Sequence, residues 1–284
     1  MAHAHSFLSP APSLSGEVKI SFPEPHVLLL TFNRPHALNA VSQRMEADVQ
    51  AVMQWFDEEP SLWVVIVTGE GRIFCAGADL KAWNARQQSG DTSEQERIAS
   101  SVYGFGSLSR RASPKPIIAA VNGGAFGGGV EMVLNCDLVI ASDDAVFALP
   151  EVKRGVIAAQ GVIPRIRAAA GHQLAAEMLL LGRTVGAAEA QQRFGFVNLV
   201  VSREKLLSTA LEWARQLVQN SPDSVQSTKR GLVIAAQHGS VETATLAHAW
   251  SPESKRAYNG SNIKEGLKAF QQKRKPIWTN PAKL

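Results

Sequence analysis

The apolar positions open as two short β-rich runs, VKISF (18–22) and VLLLTF (27–32), set apart by Pro23 and Pro25. This arrangement predicts a hairpin-like pair of strands. The stretch SQRMEADVQAVMQWFDEE (42–59) then places Met45, Val49, Val52, Met53 and Phe56 at helical spacing, with Ser42 as its N-cap. WVVIVTG (63–69), PIIAAVNG (116–123), LVIAS (138–142) and AVFAL (145–149) each have the length of a buried strand. The intervening stretch 84–113 is polar and then amphipathic, a loop leading into a helix. From about residue 161 the pattern is nearly all helical, apart from FVNLVVS (196–202). Alternating strands and helices predict an α/β protein of stacked units with right-handed crossovers. The expected division is a flexible tail over 1–16, a core over 17–200, and a helical region over 201–284 that is either a second domain or a cap used for assembly.

Composition narrows the function classes. The chain has 284 residues, 45% of them hydrophobic and 19% charged, which is ordinary for a globular protein. No apolar run approaches the ~18 residues of a membrane span. The net charge of +4 comes from scattered basic residues, not the concentrated stripe of a nucleic-acid binder. Cys75 and Cys136 are too few for a disulfide framework and form no CxxC pair, so a reducing compartment is expected. Residues 1–16 lack the basic and apolar regions of a secretory signal. The chain ends Ala282-Lys283-Leu284, close to the Ser-Lys-Leu peroxisomal address. The expectation is a peroxisomal protein read by an import receptor, with a cytoplasmic location as the alternative.

NGGAFGGGVE (122–131) carries the first candidate chemistry. It lacks the Gly-Lys-Ser/Thr of a phosphate loop and the spacing of a dinucleotide fingerprint. What remains is strand, glycine turn and helix start. Such a turn brings backbone amides close to a ligand oxygen, at the positive end of a helix. Glu131 follows Gly128 by three residues among Val130, Met132, Val133 and Leu134; burial there suits a carboxyl that moves protons. Glu151, after Pro150, is a second acid on a stiffened loop. VTGEGRIFCAGADLKAW (67–83) supplies another turn of small residues at 76–78.

FCAGADL (74–80), AAVNGGAFGGGVEMVLNCDLVIAS (119–142) and FALPEVKRGV (147–156) together resemble the crotonase family, the enoyl-CoA hydratase/isomerase superfamily. FNRPHALNAV (32–41) and EGLKAFQQKRKPIW (265–278) extend the resemblance over about residues 17–278. It implies a crotonase/ClpP-like spiral of ββα units with a C-terminal helical trimerisation region, assembled as a homotrimer or a dimer of trimers. It implies an acyl-CoA substrate, with coenzyme A part of that substrate, and no metal or other cofactor. The amides that hold the thioester oxygen match Ala78 and Gly128, and the two glutamates that flank the catalytic water match Glu131 and Glu151. Having both glutamates favours an enoyl-CoA hydratase. A Δ3-Δ2 enoyl-CoA isomerase or another acyl-CoA chemistry is the alternative, and a non-catalytic acyl-CoA-binding protein the third reading.

The resemblance further assigns CoA contacts to His36, Ala37 and Leu38 and to the segment of Ala76, Asp79, Leu80 and Lys81. Pro150 joins the substrate site, and Phe270 and Lys273 reach CoA of the same or a neighbouring subunit. Trp83, Tyr103, Phe105 and Leu108 are candidates for the acyl pocket, although core packing is the commoner role for aromatics at such spacing. One stretch departs from the family. Where hydratases commonly read Pro-Gly-Ala-Gly-Gly, this chain has Ala158-Ala159-Gln160-Gly161-Val162. That change falls where the family holds its water, and it also suits a pocket for an unusual acyl group.

Overall fold

The computed structural model describes residues 7–79, 83–85, 88–90 and 93–281. Leu80, Lys81 and the C-terminal Ala282-Lys283-Leu284 lie outside the described residues. Strands β1 (Val18–Glu24) and β2 (Val27–Phe32) pair antiparallel, as the two proline-separated runs predict. Helix α1 (Gln43–Glu58) starts at Ser42, whose side chain accepts the Met45 N–H at 3.1 Å. A cap of this kind satisfies one of the first orphan amides and stabilises a helix by about 1 kcal/mol.

The following strands alternate between two sheets. Strands β3 (Val64–Gly69), β5 (Ile117–Val121) and β7 (Leu138–Ser142) extend the first sheet in parallel, and β10 (Leu199–Val201) closes it in the order β1-β2-β3-β5-β7-β10. Strands β4 (Ile73–Cys75), β6 (Gly124–Phe126), β8 (Val146–Ala148) and β9 (Thr184–Gly186) make the second sheet, in that order. Each pair β3–β4, β5–β6 and β7–β8 is therefore one turn of a spiral. Asn122 ties two of these turns together: its Oδ1 accepts the Gly69 N–H and its Nδ2 donates to the Gly71 carbonyl.

The inner strands β3, β5 and β7 of the first sheet are buried on both faces, which is why they read as continuous apolar runs. Val65 and Val67 join the main core with α1 and the second sheet. Val64 and Ile66 point the other way, against Leu206, Ala210 and Ala214 of helix α6 (Leu206–Val218). The helical region beyond residue 200 thus begins by completing the core. Helices α7 (Pro222–Gln237), α8 (Val241–Ala249), α9 (Pro252–Asn259) and α10 (Ser261–Gln271) follow. Fully buried Asp223 joins three of these helices, taking hydrogen bonds from Arg256 and Asn262. Helix α4 (Val162–Leu181) lies between β8 and β9 in the chain, and α5 (Ala187–Gln192) between β9 and β10.

The tail expected over 1–16 is a correction where it is described. Residues 7–15 lie against α1: Leu8 N–H donates to Glu59, Trp55 Nε1 donates to the Ser9 carbonyl, and Ser15 holds the Asp48 carboxylate through its amide and hydroxyl. Phe7 packs 4.9 Å from Phe22 and 5.1 Å from Trp55, centroid to centroid. Its polar composition hid one aromatic and several backbone donors that find partners on the core. The polar-then-amphipathic stretch contains helix α2 (Glu94–Ser100), as expected.

Candidate active site

Strands β4, β6 and β8 run parallel side by side, so their C-terminal ends meet at one edge of the second sheet. The residues that follow them are the candidates. After β4 comes Ala76-Gly77-Ala78, after β6 comes Gly127-Gly128, and after β8 come Pro150 and Glu151. All seven line one cleft of about 980 Å³, together with Glu131 and Asp79.

The glycines account for the closeness of these turns. Gly77 has φ +88, and a Cβ there would sit 2.7 Å from the Phe126 carbonyl oxygen and 3.5 Å from the Gly128 nitrogen. Gly128 lies under the Phe105 ring, and Gly129 against the Cys75 carbonyl. Gly127, at φ +55, leaves room for the Glu151 carboxylate. Helix α3 (Gly128–Val133) begins at this turn, so the Gly128 amide is one of its unpaired first donors. In the β4 loop, Ala76 N–H donates to the Leu38 carbonyl and Gly77 N–H to the Cys75 sulfur, while the Ala78 amide has no acceptor among the described residues. Two backbone donors are thus set beside each other at the mouth of a helix, a geometry suited to an oxygen that gains negative charge.

The acids stand next to them. Glu131 is 3% exposed, and its Oε1 accepts the Gln160 N–H at 2.7 Å. Burial pushes its pKa up to about 7; the neighbouring Glu151 charge adds to the rise, and the Gln160 amide opposes it. Burial also raises the Glu151 pKa, and its Oε2 is buried without a hydrogen-bond partner. Burial raises both carboxyls, and carboxyls raised in this way suit proton donation and abstraction nearer neutral pH.

The remaining assigned residues divide. Leu38 and the Ala76 loop are stitched together, by the Ala76 bond above and by Val41 N–H to the Gly77 carbonyl at 2.9 Å. His36 and Ala37 lie on a single turn of 3-10 helix, Pro35–Ala37, with His36 exposed. At this end the cleft wall is made by Val41 and Ser42, and not by His36, Ala37 or Leu38. Asp79 lines the cleft 3.5 Å from Arg34. Phe270, 84% exposed at the end of α10, and Lys273 just beyond it are not part of the cleft wall of the single chain. Of the acyl-pocket candidates, Trp83 and Phe105 line the cleft, Leu108 is core, and Tyr103 stacks on Arg111. Sequence reasoning missed Ser109, which fixes the Gln160 carbonyl at 2.9 Å, and the arginines Arg44, Arg97 and Arg154 of the cleft wall. The altered segment 158–162 was the one sign that this wall is unusual. Among the described residues no group of His, Cys, Asp and Glu side chains is arranged to hold a metal ion.

The profile of the enoyl-CoA hydratase/isomerase family matches residues 24–281. The chain belongs to this family. Its fold is the crotonase fold: a crystal structure of enoyl-CoA hydratase from Mycobacterium tuberculosis H37Rv superposes with a TM-score of 0.82 at 32% identity, covering 93% of this chain and 99% of that one. Among curated members of the family, a mevalonyl-coenzyme A hydratase of Aspergillus fumigatus is 47% identical over 93% of this chain and 95% of its own length. A mevalonyl-coenzyme A hydratase of Beauveria bassiana is 43% identical over 94% and 96%.

Proposed function

We propose that this crotonase-family protein is a hydratase that adds water across, or removes it from, the C2–C3 bond of an enoyl-CoA thioester. The observation that carries the reading is the pairing of buried Glu131 with half-buried Glu151 in the wall of one cleft that Ala78 and Gly128 also line. In the hydration direction, ionised Glu131 takes a proton from water as the water oxygen bonds to C3. The C2–C3 π electrons move onto the thioester oxygen, which the two amides stabilise. The enolate then collapses and C2 takes the proton of Glu151. The pair ends with its one proton exchanged from Glu151 to Glu131, and solvent exchange resets it. Elimination is the same sequence reversed.

The two mevalonyl-CoA hydratases, at 47% and 43% identity, favour a 3-methyl-branched, hydroxylated acyl group over a plain fatty acyl chain. Mevalonyl is a 3,5-dihydroxy-3-methylpentanoyl group, so its dehydration gives a 5-hydroxy-3-methylpent-2-enoyl thioester. Arg44, Arg97 and Arg154 supply positive charge for the CoA phosphates. Trimers or dimers of trimers fit the large apolar side chains that the C-terminal helices leave exposed, Trp250, Tyr258, Leu267 and Phe270 among them. Sedimentation should give a mass of three or six chains, and a monomer would refute the assembly.

The deciding experiment presents 2-enoyl- and 3-enoyl-CoA thioesters to the purified protein and identifies the products. Hydration of the 2-enoyl thioesters is expected, with a loss of about 10²–10⁴-fold in kcat for Glu131→Gln and for Glu151→Gln. Isomerisation of the 3-enoyl thioester without any hydrated product, or full hydratase activity in both variants, would overturn the reading.

A further inference from the structure

Gln160 uses its backbone and its side chain differently. Its N–H donates to Glu131 and its carbonyl accepts from Ser109 Oγ, so the main chain is clamped from both sides. The side chain lines the cleft, yet its Oε1 is buried with no hydrogen-bond partner. A buried acceptor left unmade is costly, and such atoms in native proteins call for an explanation. Trp83, another residue of the cleft wall, also has a buried unpartnered atom, its Nε1–H, a donor. One acceptor and one donor match the two capacities of a single hydroxyl, which donates once and accepts as well. A hydrocarbon acyl chain satisfies neither.

We propose that Gln160 is a specificity-determining residue: its amide oxygen accepts a hydrogen bond from a hydroxyl carried by the acyl chain beyond C3, and Trp83 donates to the same hydroxyl. The site thereby selects a hydroxylated acyl thioester over its hydrocarbon counterpart. This inference rests on the hydratase reading and assigns the acyl-recognition part of that site.

The test compares kcat/KM for hydration of 5-hydroxy-3-methylpent-2-enoyl-CoA and 3-methylpent-2-enoyl-CoA. The protein should prefer the hydroxylated thioester by roughly 10–100-fold, because discarding the hydroxyl leaves both protein groups unpaired. Gln160→Met keeps the length and the backbone amide but removes the acceptor. Its preference should fall to within about three-fold of unity. The ratio is taken within one protein, so a general loss of rate cancels. Equal use of both thioesters by the unaltered protein, or an unchanged ratio in Gln160→Met, would refute the assignment. Dissociation constants for the saturated pair, 5-hydroxy-3-methylpentanoyl-CoA and 3-methylpentanoyl-CoA, measure the same preference without turnover. They are read on Gln160→Ala if the Met variant misfolds. The two readings fail differently: unaltered protein that adds water to neither thioester refutes the hydratase reading, while the binding ratio still judges Gln160.

Discussion

Glu131 shows how a single side chain couples stability to chemistry. Its carboxyl titrates near the ordinary value of 4.5 when unfolded and near 7 in the folded chain, because burial disfavours the charge. Below pH 4.5 it is neutral in both states and costs nothing. As pH rises towards 7 the unfolded chain ionises first, so stability falls, by roughly 3 kcal/mol once both states are ionised. Glu131→Gln removes this cost and keeps an oxygen for the Gln160 amide. The variant should melt higher than the unaltered protein at pH 8, with a smaller gap at pH 5. Melting curves at the two pH values check it, and a gap that does not grow with pH would refute burial as the cause of the shift. The acid itself was legible: a lone Glu among Val130, Met132 and Val133, three residues past a glycine turn, stands out in the sequence. Its partner through space was not, because the Gln160 amide comes from a segment 29 residues later and a backbone donor leaves no mark on residue type.

At the level of elements, the site depends on two turns being almost in contact. Gly77→Ala meets a positive φ and a carbonyl oxygen 2.7 Å from the new Cβ. That oxygen belongs to backbone and cannot swing aside. The substitution should lower stability by about 1–3 kcal/mol. By pushing the Ala78 amide away from Gly128 it should also lower kcat about 10²-fold. Thermal melting and hydration kinetics on the same preparation separate the two effects, and a variant with unchanged kcat would detach the Ala78 amide from catalysis. The strands and the Ser42 cap were legible because local chemistry sets them: both faces of β3 are buried, and Ser42 directly precedes an amphipathic run. The division into two sheets was not. Strands such as β4 and β6 are only three residues long, too short for a period to register, and their pairing is set by the spiral.

For the whole molecule, residues 7–15 are part of the folded body. Deleting residues 1–16 uncovers Trp55 and Phe22 and removes the Ser15–Asp48 and Leu8–Glu59 bonds. Stability should drop by roughly 2–4 kcal/mol, the value of about one buried aromatic with its neighbours. Hydration kinetics should stay within about two-fold, because none of the described residues of this segment lines the cleft. A truncated protein that melts unchanged would show the packing to be incidental. The spiral has a further consequence for how the protein comes into being. The amide-bearing turns after β4 and β6 leave the ribosome before Glu151 and Gln160 do. A nascent chain therefore carries both turns of the proposed oxygen-binding cradle before the proposed proton-transfer pair, Glu131 with Glu151, is complete.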